Sequence, residues 1–401
     1  MSKNFKGGIS MKHSKKLFFS LILSVSMIAG TIPVKAYDLD TKTITRLGGN
    51  DRFETAISIS KEYCKDSKTP VDTVLLGRCD DFADTLSIAP FSVYKNAPLL
   101  LTECNNLNKK TEARLKEMGV KNVYIIGGTG VVSGNVEIRL KSLKYNVFRI
   151  GGKDRIETNR LLMKQIPVEM YGPNPKIING YDWIQGMSIC RNTIEYDSKD
   201  KTTRYINPVF VVSASSNSEK DYDDIAKILE PVQKKFNTEY PVLKNYTSKY
   251  QVWADNYTED NIEKNASYDN TCKSFGVNDM NGLYSNYGYS NTKANIHITY
   301  DMYQSSNRGY KADTTNHENA VLLARSDNFI DSLASCTLSA EIGAPIIMST
   351  YSIVKAMGYE ASKETLELFF GNLNTRNEIY YLGGKAAVPD GTENFLKGGV
   401  F

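Results

Sequence analysis

The stretch VLLGRCDDFADTLS, residues 74–87, returns as VLLARSDNFIDSLA at 321–334. The register holds without a gap to NAPLLL at 96–101 and GAPIIM at 343–348. Further on, VYIIGG at 123–128 answers IYYLGG at 379–384. A second phrase repeats separately, RLGGNDRFETA at 46–56 and RIGGKDRIETN at 149–159. It opens a weaker middle copy, in which KIINGYDWIQGMSIC at 176–190 and NPVFVV at 207–212 stand for the strand phrases. The third copy's opening survives only as GYSNTKAN at 288–295, without either arginine. Self-similarity on this scale means one supersecondary unit used three times.

Each unit alternates short apolar runs with helical stretches. TVLLG, APLLLT, KNVYIIGG and YNVFRIGG read as buried parallel strands. Val136, Leu140 and Leu143 recur at helical spacing between two of them. The expected fold class is therefore α/β, with a parallel sheet covered by helices on both faces in each repeat. The expected divisions are 1–36, an export signal; 37–147, repeat 1; 148–280, a degenerate repeat 2 with long loops; and 281–401, repeat 3. Residues 213–315 are rich in Asn, Ser and Tyr, poor in periodic apolar residues, and are expected to contain long loops.

The first 36 residues differ from the rest. Lys12, Lys15 and Lys16 precede the apolar run LFFSLILSVSMIAG, and VKA at 34–36 supplies a small-residue exit, the three parts of a secretory signal. Removing it takes six of the 49 basic residues and none of the 45 acidic ones, which leaves a net charge of −2. A polyanion must then be bound by local clusters, not by a global field. No cysteine stands at the cleavage point and no other run reaches membrane-spanning length, so no anchor is expected. The six cysteines, at 64, 79, 104, 190, 272 and 336, show no metal-finger spacing; an even count in an exported chain permits disulfides, and small buried or incidental thiols are the favoured reading. Only His297 and His317 survive processing, too few for a closed zinc site. No metal, cofactor or nucleic acid is expected.

Asp81 and Asp84 look at first like a catalytic carboxylate pair. The aligned copies argue otherwise: Asp81 and Asp84 become Asp182 and Gln185, then Asn328 and Asp331. Acid/base chemistry would not tolerate the amides, whereas a helix N-cap accepts Asp or Asn and an acceptor three residues on. Asp81, Asp84, Asp182, Asn328 and Asp331 are thus read as caps, as are Asp51 and Asp154 with Glu54 and Glu157. Arg52 and Arg155 are harder to explain, since a cation at the first helical position opposes the helix dipole. Arg46 and Arg149 lie just upstream across Gly-Gly. Two readings stand: the arginines pair with nearby acids, or they face an anionic ligand beside free helix-start N–H groups. IIGGTGVVSG at 125–134 lacks the spacing of a dinucleotide loop and reads as a tight strand-to-helix turn.

RLGGNDRFETA, DDFADTLSIAPFSVYKNAPLLLT and VYIIGG resemble the type-2 cell-wall-binding repeat of clostridial surface proteins. The resemblance is specific over 46–168, good over 318–388 and weak over 176–315. It implies three tandem Rossmann-like subdomains in a pseudo-threefold ring. It also implies noncovalent binding to an anionic secondary polysaccharide of the Gram-positive wall, with other surface-layer proteins as further partners. The family's apolar motif tied to polymer retention falls on Leu99, Leu100 and Leu101 and on Ile346, Ile347 and Met348. Two competing readings are a scaffold or adhesin working through the Tyr/Asn-rich stretch at 245–310, and a wall-glycan hydrolase using Asp84 or Asp331.

Overall fold

A computed structural model describes residues 43–67, 69–197, 202–213, 218–237, 278–279, 320–325, 327–348 and 378–390. All lie in the unit Lys42–Phe401. The export segment 1–36, GYSNTKAN, Cys272, both remaining histidines and all but two residues of the 245–310 stretch lie outside the described residues.

In chain order the elements are β1 (Thr43–Leu47), α1 (Arg52–Asp66), β2 (Thr73–Arg78), α2 (Ala89–Lys95), β3 (Leu99–Thr102), α3 (Lys109–Met118), β4 (Asn122–Ile126), α4 (Gly134–Ser142), β5 (Asn146–Ile150) and α5 (Arg155–Lys164). Then come β6 (Lys176–Asn179), α6 (Trp183–Ser188), β7 (Ile194–Tyr196), β8 (Arg204–Ile206), β9 (Val209–Val212), α7 (Ser218–Phe236) and β10 (Asn278–Asp279). β11 (Ala320–Ala324), α8 (Ile330–Leu333), α9 (Ser335–Ile342), β12 (Ile346–Met348) and β13 (Glu378–Leu382) follow.

Three parallel sheets share one strand order. The first runs β3-β2-β4-β5, another runs β12-β11-β13-β1, and the middle one keeps β9-β6-β10. In the third sheet the place of β5 is taken by β1, whose Thr43 to Leu47 pair with Glu378 to Leu382. Strand membership therefore cuts across the divisions expected from the repeats. β1 joins the third sheet rather than the first, and the 147/148 boundary falls inside β5.

The strands are apolar on both faces because both faces are covered. Val74, Leu76, Val123 and Ile125 pack on one side with Leu115 of α3 and Val136 and Leu140 of α4. Leu75 and Ile126 point the other way, into a core they share with Ile178 and Val211 of the middle sheet and Leu322 and Leu382 of the third. One core thus holds all three sheets.

The stretch 213–315, expected to be poor in periodic apolar residues, carries an amphipathic helix at its start. α7 occupies Ser218–Phe236 and buries Tyr222, Ile225, Leu229 and Val232. That spacing is one helical face, which the polar composition of the stretch obscured. Among the described residues no helix is long and apolar enough to cross a membrane.

Candidate functional site

The repeated phrase at 46–56 and 149–159 is where the strands of one sheet hand over to the next helix. Asp51 and Asp154 cap α1 and α5, each accepting from the backbone N of the glutamate three residues on, Glu54 at 2.9 Å and Glu157 at 2.8 Å. The glutamates reach back one residue past the cap: Asn50 N donates to Glu54 Oε2 at 2.7 Å and Lys153 N to Glu157 Oε2 at 2.8 Å. Lys110 bonds both Asp51 and Glu54. Despite some burial, Lys110 and the Glu54 N–H hold the Asp51 carboxyl below its usual range. The start of α1 is thus already occupied by carboxylates.

The arginines turn inward. Arg46 Nη1 donates to Gly383 O at 3.0 Å and its Nη2 to Asp390 at 2.7 Å. Arg149 matches it on the first sheet, donating Nη1 to Gly127 O at 3.0 Å and Val132 O at 2.8 Å, and Nε to Glu137 at 3.0 Å. Arg52 Nη1 donates to Cys79 O at 3.0 Å, and Arg155 Nη1 to Gly180 O at 2.7 Å. Each guanidinium satisfies carbonyl oxygens that a strand leaves unpaired at its end. Arg46 and Arg149 also pair with acids, Asp390 and Glu137, whereas Arg52 and Arg155 bond carbonyl oxygens.

The glycines of the phrase bring these strand ends together. A β-carbon on Gly48 would stand 2.2 Å from Gly383 O, and one on Gly151 would stand 2.3 Å from the Gly127 carbonyl carbon. Only glycine allows that approach.

Asp84 and Asp331 are corrected. Residues 83–87 form a turn and α2 begins only at Ala89, behind Pro90, so Asp84 has no helix start to cap. Its carboxylate instead lies over Gly127, 2.9 Å from where a β-carbon there would be. It pairs with the Thr158 hydroxyl of α5, and burial pushes its pKa up. Asp331 does the same in the third sheet, over Gly383 and against Thr55 of α1, and burial likewise raises its pKa. Both carboxylates fill the crevice between the carboxyl ends of the second and third strands in sheet order, the place where doubly wound sheets bind ligands. Asp81 and Asn328 accept from the backbone N of Ala83 and Ile330 at 2.8 and 2.9 Å. Asp182 alone caps a full helix start in this motif, accepting from Ile184 N at 2.9 Å and Gln185 N at 3.4 Å.

The six apolar strand residues are core residues that hold their sheets in shape. Leu99, Leu100, Leu101, Ile346, Ile347 and Met348 are all 0% exposed. A polymer cannot touch them, because helices cover both faces of the strands that carry them. Cys64, Cys79, Cys104, Cys190 and Cys336 are free thiols. Among the described residues no cluster of His, Cys, Asp and Glu is arranged to hold a metal ion.

One assembly escaped the sequence reading. Phe82, Trp183 and Phe329 hold the same position in the three copies, and Phe329 meets both others, at ring-centroid distances of 5.2 Å and 6.3 Å. The alignment Asp81-Phe82, Asp182-Trp183 and Asn328-Phe329 carried the signal: one aromatic after each capping residue.

These features define a class of protein: an α/β module of repeated parallel sheets whose motif residues join strand ends to helix starts. Residues 46–137 match the family model of cell wall binding domain 2. It is 34% identical over 186 residues to N-acetylmuramoyl-L-alanine amidase LytC of Bacillus subtilis (strain 168), an alignment that covers 46% of this chain and 35% of LytC. In fold it resembles Cwp6 from Clostridium difficile, with a TM-score of 0.54 and 22% identity, covering 86% of this chain and 46% of that one. It also resembles Cwp8 from Clostridium difficile, with a TM-score of 0.56 and 18% identity, covering 95% and 54%. The chain thus spans about a third of the curated relative and about half of the solved structures. The family match supports association with the cell wall.

Proposed function

We propose that the chain is a surface protein held noncovalently on the Gram-positive wall by an anionic secondary polysaccharide, acting by binding and catalysing no reaction. The observation that carries this reading is the cell wall binding domain 2 match at residues 46–137. Three repeats, the middle one degenerate, would close into a pseudo-threefold ring. The shared strand order, the return of β1 to β13 and the meeting of Phe82, Trp183 and Phe329 support that closure. Export would run through residues 1–36, and other surface-layer proteins are a second class of partner. Repetition would raise avidity without any new kind of contact.

The test compares retention of the protein on purified walls before and after extraction of the anionic polymer. Retention should fall on extracted walls. Equal retention on both would sink the polymer reading.

A further inference from the structure

We propose that Phe82, Trp183 and Phe329, with Tyr181 and Arg155 at their edge, form a platform on which one sugar ring of an anionic polysaccharide stacks. The inference rests on the wall-binding reading and names the site and the ligand chemistry within it.

The three aromatics follow the carboxyl ends of β2, β6 and β11, the edge at which parallel sheets present ligands. They are only partly buried. With the aromatics in place, the layer beneath them is closed: Leu86, Met187, Cys190, Cys336 and Leu333 are at most 2% exposed. Leu86 packs so tightly against Gly186 that a β-carbon there would lie 2.2 Å from it, and Cys336 Sγ meets Met187 Sδ at 3.0 Å. All three copies carry a large aromatic ring over this layer, each packed on it from one side and only partly buried. The C–H face of a pyranose is apolar and carries partial positive charge, the complement of an aromatic face.

The charge at the edge fits an anionic sugar. The Arg155 guanidinium carbon lies 4.4 Å from the Tyr181 centroid and 5.9 Å from that of Phe82. Tyr181 itself is 62% exposed. Arg155 gives Nη1 to Gly180 O. Among the described residues its Nε and Nη2 meet no acceptor, which leaves two donors in fork geometry for a carboxylate or phosphate. Of the neighbouring acids, Asp81 and Asp154 are turned to backbone N–H groups of Ala83 and Glu157, and Asp84 to the Thr158 hydroxyl. Arg155 thus differs from Arg149, whose Nε and Nη1 both serve internal acceptors.

The test uses the full chain carrying Trp253→Phe, so that emission reports Trp183 alone. Its fluorescence is titrated with oligosaccharides released from purified walls. The expected result is a saturable change in Trp183 emission. The double variant Phe82→Leu/Phe329→Leu keeps the apolar filling and should keep the thermal midpoint, yet should bind about tenfold more weakly. Arg155→Lys should weaken binding to anionic fragments and leave binding to the same fragments stripped of their charged groups unchanged. If the parent is retained on walls but the double variant binds fragments as tightly as the parent, the platform is overturned and wall binding stands. If the parent is not retained on walls at all, both readings fall.

Discussion

Arg46 donates its Nη1 to the carbonyl oxygen of Gly383 at 3.0 Å, across 337 residues of chain. Arg149 makes the corresponding bond to Gly127 across only 22. The same joint is built once locally and once between distant parts of the sequence. Arg149→Ala strips donors from Gly127 O, Val132 O and Glu137, and should cost about 3 kcal/mol in urea unfolding. Arg46→Ala, at a more exposed joint, should cost less overall. It should loosen β1 selectively, read as faster proteolysis near residues 43–47.

The close approach of strand ends makes a sharper contrast. Gly151→Ala places a β-carbon inside van der Waals contact of the Gly127 backbone, which cannot move aside. It should lower stability by about 3 kcal/mol, or prevent folding. Gly130→Ala meets nothing within 4 Å and should stay within about 0.5 kcal/mol of the parent. Equal thermal midpoints for the two variants would contradict the joint as described.

Asp84 and Asp331 set a pH dependence. Burial raises both above the ordinary aspartate value of 3.8, with Arg155 near the first and Arg325 and Arg52 near the second only partly offsetting it. Asp81 and Asp154, and on the other side Asp327, add to the rise. An acid whose folded pKa is raised contributes stability fully below its unfolded pKa and loses it as pH climbs through the folded value. Asp84→Asn and Asp331→Asn should therefore raise the thermal midpoint at pH 7. The gain should shrink as pH is lowered toward 4. A gain that persists unchanged at acid pH would assign it to something other than ionisation.

Leu100 and Ile347 should matter to wall retention only through the fold. Leu100→Ala and Ile347→Ala remove fully buried side chains and should each cost about 2–5 kcal/mol. Retention measured well below the variant's melting midpoint should match the parent, and fail only near it. Loss of retention from a fully folded Leu100→Ala variant would show a direct role that the geometry denies.

The sheets were legible because the strand phrases repeat and because buried parallel strands are apolar throughout. The caps Asp51, Asp154 and Asp182 were legible because a cap and its N–H partner lie three residues apart. The arginines were not. All four bond main-chain oxygens, which carry no sequence signature, and one of these, on Gly383, lies far along the chain. Asp84 was misread for a related reason. Its partner Thr158 belongs to the next opening phrase, and no local rule links the two. β1 was not read as a strand, and the division 37–147 kept its residues with the first repeat, while the open place beside β13 becomes visible only in three dimensions. The helix α7 was within reach, since Tyr222, Ile225, Leu229 and Val232 mark one face.

The pairing of β1 with β13 also fixes an order of events. A strand made early in synthesis has no seat until a strand made hundreds of residues later has folded, and the entropy of closing so long a loop weighs on the rate. Until then it offers a bare edge to any neighbour, including the same edge on another nascent chain. The first and second sheets can mature as they emerge, but the third is completed only retroactively. A chain cut short before residue 378 would carry a permanent, sticky tail at its front.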